Sequence, residues 1–197
     1  MMRNNSNKKS RSETGQHRLF FALDFNDEFK SSLYQQCMMF DINGRRVNKE
    51  NYHLTLQFLG SVNNHQVYDI IERVSIPGIK PFHLSLDKTG YFVKNEIMFI
   101  EVGQGRDSIK RLSTHIRQQL RDIEFIKRDK QKFHPHLTIA RDTKPPVDFE
   151  LMQPLDYRVK TFCLMESVEI KSGVYYQTIE SWPLFKPSDK QVLLGDI

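Results

Sequence analysis

Two histidines that recur in the same short motif are the residues of this chain best suited to chemistry. The stretch HLTL at residues 53–56 is repeated as HLTI at residues 136–139. Successive side chains of a β-strand point to opposite faces, so each copy places its histidine and threonine on one face and its apolar residues on the other. The first copy continues with Gln57 on the histidine face and Phe58 on the apolar face. Two such strands side by side would bring two imidazoles and two hydroxyls into one space.

These paired groups fit the cleavage of a phosphodiester. Imidazole titrates near neutral pH, with an unperturbed pKa of about 6.5, so His53 and His136 can act as a general acid and a general base. The hydroxyls of Thr55 and Thr138 can donate hydrogen bonds to the oxygens of a phosphate held between the imidazoles. One imidazole would take a proton from water while the other protonates the departing alkoxide, which is a reaction that needs no metal ion.

The second motif also raises the possibility of metal binding. His134 and His136 form a His-x-His pair on one strand face, and imidazole is a zinc ligand. The first motif offers a threonine where a further ligand would be needed, so we predict no metal site. Gly103-Gln104-Gly105 follows an apolar run but lacks the later Gly and Lys of nucleotide-binding loops. The sequence therefore predicts a site with neither metal nor cofactor.

The 197-residue chain has the length of one ordinary domain. We place that domain at residues 17–185, between a disordered basic tail at 1–16 and a C-terminal tail at 186–197. The net charge of +5 and the pI near 9.1 favour an anionic partner. The two cysteines form neither a disulfide framework nor a metal-type pair, and no apolar run approaches the roughly 18 residues of a membrane span. We expect a cytoplasmic monomer without a membrane partner.

Apolar periodicity and turn residues predict strands that alternate with helices. The strands fall at 18–25, 52–60, 82–86, 96–102, 133–141, 157–170 and 174–181, and the helices follow Asn26, Asn63 or Asn64, and Asp107 or Ser108. Pro145, Pro146 and Pro154 predict a loop before the last two strands. Each motif strand follows a helix. We therefore predict an α+β domain of two antiparallel sheets, built from two related halves with the helices outside.

The longest predicted helix has a basic face opposite its apolar stripe. That face carries Lys110, Arg111, Arg117 and Arg121. Basic side chains can contact phosphates, but a solvated helix face is the favoured interpretation of such a pattern.

The paired motifs resemble the two signatures of the 2H phosphoesterases. More closely, four blocks are similar to the RNA 2′,3′-cyclic phosphodiesterases, historically called 2′-5′ RNA ligases. The blocks are RLFFALDF, NYHLTLQFLG, FHPHLTIARD and LMESVEIKSGVYYQTIESWPL, in family order. The resemblance implies a bilobal fold in which each lobe contributes one His-x-Thr strand to a central cleft. It also implies metal-independent opening of a terminal 2′,3′-cyclic phosphate to a 2′-phosphate, with a reversible 2′-5′ ligation activity.

Carried onto this chain, the resemblance implies a role for each motif residue. His53 would protonate the leaving 3′ oxygen and His136 would activate water. Thr55 and Thr138 would bind the phosphate oxygens.

Two residues outside the motifs also match the family. Arg141 matches the arginine that closes the second motif and would stabilise charge. Strict alternation, however, places Arg141 on the face opposite His136 unless the strand bends or bulges. Phe21, in preference to Phe20, would stack on the terminal base.

Two other functions stay open at this point. A non-catalytic RNA-binding module would bind RNA in a salt-sensitive way and would tolerate the loss of both motif histidines. Another 2H branch, acting on 2′-5′ linkages or on small cyclic nucleotide phosphates, would use the same four residues. The predicted substrate is accordingly an RNA with a 2′,3′-cyclic phosphate terminus, or a cyclic nucleotide.

Overall fold

The computed structural model describes residues 15–126, 132–145, 150–171 and 173–188. Within these ranges the chain forms nine strands and three α-helices. The strands are β1 (Gln16–Asp24), β2 (Arg45–Arg46), β3 (His53–Asn63), β4 (Phe82–Phe92), β5 (Ile97–Val102), β6 (His136–Arg141), β7 (Glu150–Val159), β8 (Thr161–Ile170) and β9 (Gly173–Pro183). The helices are α1 (Asp27–Cys37), α2 (Asn64–Arg73) and α3 (Arg106–Gln119). None of these three helices has the length and apolar character needed to span a bilayer. The predicted tails lie largely outside the described residues.

The strands form two antiparallel halves, which confirms the predicted α+β class. Their hydrogen-bonded order is β7-β4-β5-β6-β3-β1-β8-β9, with β2 paired to β6. The two motif strands, β3 and β6, are neighbours at the middle of this order, and within the described ranges they pair only at Leu54 and Leu137. In this order four strands lie on each side of that contact, and the short β2 adds a fifth strand beside β6.

β1 is a nearly continuous apolar run because it lies in the middle of its half. It pairs with β3 on one edge and with β8 on the other, and its residues from Leu19 to Leu23 are at most 3% exposed. The helix that follows begins as predicted, since the Phe29 N–H donates to Oδ1 of Asn26 at 2.9 Å. This cap satisfies one of the unpaired donors of the first helical turn.

α3 joins β5 to β6 within one half of the sheet and is hydrogen-bonded to β3 of the other half. It begins after Gly105, whose φ of +83° is accessible to glycine at no steric cost. Ile109, Leu112 and Ile116 form its buried stripe. The hydroxyl of Ser113 donates to the carbonyl of Leu56 at 2.8 Å, which ties α3 directly to the first motif strand.

β7 corrects the prediction of a loop around Pro154. Proline removes a hydrogen-bond donor, which argues against a strand in the interior of a sheet. β7 is instead an edge strand that pairs only with β4 in the described structure, and its register shifts between the pairs Leu86–Leu155 and Lys88–Glu150. Pro154 lies in this irregular segment at the edge of the sheet, where the missing donor costs little.

Candidate active site

The pairing of Leu54 with Leu137 brings the two motifs together. Because β3 and β6 run antiparallel, this register places His53 across from Thr138 and Thr55 across from His136. The two leucines are fully buried, while the four polar residues are half-buried on the opposite face. Each histidine thus lies beside the threonine of the other motif, and the two copies are related by a local twofold arrangement.

Hydrogen bonds hold His53 at both ring nitrogens. Its Nδ1 donates to the carbonyl of Asn51 at 2.7 Å, and its Nε2 lies 3.1 Å from the hydroxyl of Thr55. A carbonyl can only accept, so Nδ1 carries the proton and Nε2 of the neutral ring is the nitrogen with a free lone pair, which faces the hydroxyl of Thr55. The rings of Phe20 and Tyr176 lie 4.9 and 4.8 Å from the imidazole and cover its sides.

His136 is held at one ring nitrogen. Its Nδ1 donates to the carbonyl of His134 at 2.7 Å, so in the neutral ring Nε2 again keeps its lone pair. Phe92 and Phe99 stack on each other and lie 4.9 and 5.2 Å from the imidazole. Phe99 occupies the space above Gly90, where any Cβ would clash with its ring. A glycine at position 90 therefore allows the aromatic packing that supports His136.

Burial lowers the pKa of both imidazoles. For His53 the pKa falls from 6.5 to about 4, mainly because burial disfavours the charged form, and the carboxylate of Asp24 opposes the change. For His136 the pKa is also lowered by burial, and the nearby His134 and the charge of Arg141 lower it further. A lowered pKa favours the neutral form of both imidazoles at pH 7. The charged groups near His53 act in opposite directions, because Asp24 raises its pKa whereas Arg141 and Lys30, which is ion-paired with Asp24 at 2.7 Å, lower it.

Each motif strand has a bulge three residues after its histidine, and the bulge changes the face of the sheet on which the following side chains lie. Ala22 and Phe21 of β1 pair with Thr55 and Gln57, which leaves Leu56 as the extra residue of β3. In β6 the extra residue is Ile139. A bulge shifts the alternation by one, so residues after it change faces.

The bulge in β6 resolves the position of Arg141. Ile139 and Ala140 are both buried, and Arg141 returns to the half-exposed histidine face. The charge of Arg141 lowers the pKa of both His53 and His136, so the guanidinium acts on the two imidazoles at once. In the described part of the chain, no carboxylate lies within ion-pair distance of Arg141, and its charge is open to an anion.

The bulge in β3 reverses the predicted faces of the next two residues. Gln57 was expected beside His53 but is 6% exposed, and Phe58 was expected in the core but is 44% exposed. Phe58 is the counterpart of Arg141, since each follows its histidine by five residues. Periodicity without the bulge gives the wrong face for both residues.

The prediction that Phe21 stacks on a base is wrong. Phe21 is fully buried, packed on Phe162 and Trp182 with ring centroids 6.2 and 5.8 Å away. Phe20 is the residue beside the site, but it is 3% exposed and supports His53. The sequence could not separate the two phenylalanines because both faces of β1 are covered.

Asn51 is a site residue that sequence reasoning missed. Its carbonyl holds His53, while its side chain donates to the carbonyl of Val174 at 2.7 Å and accepts from the Tyr176 N–H at 3.1 Å. It thereby fastens β9, which carries Tyr176, to the start of the first motif strand. No pattern in the sequence pointed to this contact, because it joins segments far apart in the chain.

A cavity of about 500 Å³ opens beside the motifs. Thr55 and His136 line it, which makes it continuous with the candidate site. Its other lining residues are Leu56, Gln57, Phe58, Tyr91, Phe92, Val93, Lys94, Asn95, Ile97, Arg117, Lys132, Phe133 and His134. None of the described lining residues is acidic, and the volume is in the range of small-ligand sites.

The described residues do not form a metal-binding set. Within them, no three His, Cys, Asp or Glu side chains are grouped so that they could hold a metal ion. His134 lies near His136, with ring centroids 6.2 Å apart, and its Nε2 is 3.8 Å from Glu101. The pair therefore has no third ligand in this part of the chain.

Comparison with known proteins connects this geometry to one family. The model of a family described as the 2′-5′ RNA ligase superfamily matches residues 42–169, more than half of the chain. The RNA 2′,3′-cyclic phosphodiesterase of Escherichia coli K12 is 29% identical over 177 residues, which cover 85% of this chain and 96% of that protein. The protein of the same name from Thermotoga maritima is 27% identical over 176 residues, covering 82% and 92%.

Solved structures show the same architecture. The structure of Escherichia coli LigT with 3′-AMP superimposes with a TM-score of 0.79 at 26% identity, covering 87% of this chain and 99% of that one. The structure of TT0787 from Thermus thermophilus gives a TM-score of 0.74 at 24% identity, covering 87% and 100%. The second likeness concerns the fold alone.

Proposed function

This chain belongs to the 2′-5′ RNA ligase superfamily, and on that premise we propose that it hydrolyses the 2′,3′-cyclic phosphate at the end of an RNA to a 2′-phosphate. The observation that carries the proposal is the single Leu54–Leu137 pair, which sets two imidazoles and two hydroxyls around one space. Relatives named RNA 2′,3′-cyclic phosphodiesterase, matched over most of their length, support the choice of substrate.

In this reaction the reactive Nε2 of His136 takes a proton from water as the water attacks phosphorus. His53 protonates the 3′ oxygen as the P–O3′ bond breaks, and the 2′ oxygen keeps the phosphate. The hydroxyls of Thr55 and Thr138 donate to the non-bridging oxygens. Arg141 stabilises the negative charge that builds on them, because its guanidinium acts on both sides of the site.

The two rings differ in their charged neighbours. At His136, burial lowers the pKa and the nearby His134 and Arg141 lower it further, which favours the neutral imidazole that a general base requires. At His53, burial together with Lys30 and Arg141 lowers the pKa while Asp24 raises it, so the charged form required of a general acid depends on the bound phosphate. An anionic phosphate in the site raises the pKa of both rings and makes it possible for one of them to be charged.

The first test is the product formed from an RNA that ends in a 2′,3′-cyclic phosphate, with EDTA present throughout. We expect a 2′-phosphate, identified against synthetic 2′- and 3′-phosphate standards. His53→Ala and His136→Ala should each lower kcat by roughly 10²-fold or more. A 3′-phosphate product, or near wild-type turnover by both variants, would contradict the proposal.

A second test separates the acid from the base. A 3′-deoxynucleoside 2′-(p-nitrophenyl phosphate) has no 3′ hydroxyl that could displace the phenolate in place of water, and it releases p-nitrophenolate, which needs no proton to depart. His53→Ala should therefore lose much less activity on this ester than on the cyclic phosphate, whereas His136→Ala should lose activity on both. The reverse pattern would exchange the two roles.

A further inference from the structure

One residue of the predicted basic face, which comprises Lys110, Arg111 and Arg117 of α3 and Arg121 just after its end, behaves differently from the others. Three of them interact near their own position on the helix surface, namely Lys110 with Asp107 at 3.7 Å, Arg111 with Ser108 at 3.3 Å and Arg121 with Asp122 at 3.4 Å. Arg117 instead lines the cavity beside Thr55 and His136. Three residues of the predicted basic face therefore lie on the protein surface, whereas Arg117 lies in the wall of the cavity.

Two contacts hold Arg117 in place. Its Nε donates to Oε1 of Gln57 at 2.6 Å, and its Cζ lies 5.6 Å from the ring centroid of Phe133. Gln57 is itself buried and fixed, since its Nε2 donates to the carbonyl of Phe58 at 2.8 Å. The bulge at Leu56 is what turns Gln57 toward the helix. A long side chain held at two points loses little further entropy on binding a ligand.

The guanidinium keeps donors for a ligand. Arginine has five N–H groups, and within the described part of the chain only Nε of Arg117 has a hydrogen-bond partner. Two amino groups in a planar fork match the oxygens of a phosphate. Lys94 and Lys132 add positive charge to the same cavity, and no described acidic residue lines it.

We propose that Arg117 binds the phosphate that links the last two nucleotides of the RNA, so that the site selects RNA chains over cyclic mononucleotides. The proposal rests on the proposed function, because it assumes that the cyclic phosphate lies between the motif histidines. A cyclic mononucleotide has one anionic group, which those motifs already hold. An RNA chain has a second phosphate on the 5′ side of its terminal ribose, and the preorganised cation of the adjoining cavity is a partner for it.

The test compares three substrates with the same terminal base: 2′,3′-cyclic AMP, the dinucleotide ApA with a terminal 2′,3′-cyclic phosphate, and that dinucleotide with a neutral methylphosphonate link. For the wild type, kcat/KM should be at least about tenfold higher for the natural dinucleotide than for the other two, mainly through KM. Arg117→Ala should reduce the ratio between the natural and the neutral dinucleotide to near one. Arg111→Ala removes the same charge from the same helix and should retain the full ratio.

A binding measurement makes the result independent of turnover. The dissociation constant of ApA carrying a terminal 2′-phosphate should rise about tenfold or more in Arg117→Ala relative to the wild type and to Arg111→Ala. Equal kcat/KM for the natural and neutral dinucleotides in the wild type would overturn the proposal while leaving the proposed function intact. If no cyclic phosphate is hydrolysed, the proposed function fails, and equal affinity of the wild type and Arg117→Ala would then refute the phosphate contact by itself.

Discussion

The half-buried imidazole of His53 should make the free energy of unfolding depend on pH, and a substitution of His53 should remove this dependence. Its pKa in the folded state is about 4, against 6.5 for an ordinary histidine. Between these values the unfolded chain binds a proton that the folded chain does not bind. The free energy of unfolding must therefore fall as pH falls from about 6.5 to about 4. His53→Gln keeps a polar side chain of similar reach and removes this titration.

The size of the effect follows from the difference in pKa, which is 6.5 minus about 4. A shift of one unit corresponds to about 1.4 kcal/mol, so a complete transition would amount to about 3 kcal/mol. The imidazole is only half-buried by its surface exposure, and water on its open side reduces the loss. At pH 5 we expect the wild type to have lost about 1 to 2 kcal/mol more than His53→Gln, relative to pH 7.

Urea unfolding followed by tryptophan fluorescence measures this difference. Trp182 is the single tryptophan of the chain, and it is partly buried against the main core, where it stacks on Phe162 with ring centroids 5.3 Å apart, so its emission reports global unfolding. His65→Gln removes an exposed histidine, leaves the half-buried imidazole of His53 in place and should follow the wild type. Parallel pH dependence of the wild type and His53→Gln would refute the assignment of a depressed pKa to His53.

Three other outcomes are expected from the same geometry. The pH profile of kcat/KM should be bell-shaped with its maximum below about pH 6.5, because burial lowers the pKa of both His53 and His136 in the free protein. A maximum at pH 8 would contradict this expectation. Asn51→Ala should lower kcat roughly tenfold or more, because the side chain fastens β9 beside His53. Its unfolding midpoint should shift little. An unchanged kcat would rule out a positioning role for Asn51. Gly90→Ala should displace Phe99 and lower both kcat and the free energy of unfolding, which urea unfolding measures. Full activity of this variant would show that the packing of Phe99 does not support the site.

Several features of the fold could be read from local patterns. The apolar run of β1 and the side chain of Asn26 predicted a buried strand followed by a capped helix, because burial on both faces and an N-terminal cap leave direct marks in sequence. The edge strand β7 was missed, because Pro154 is acceptable only at an edge and the sequence does not say which strand is at the edge.

The amino-acid sequence by itself determined which groups make up the candidate site, because a repeated His-x-Thr motif fixes which side chains share a strand face. Tertiary structure decided how those groups meet and which others join them. The Leu54–Leu137 pair, the bulges at Leu56 and Ile139, and the contact of Arg117 with Gln57 all join residues distant in the chain or break strict alternation. Local periodicity carries no information about long-range pairing or about bulges, since both are selected by the packing of the whole sheet.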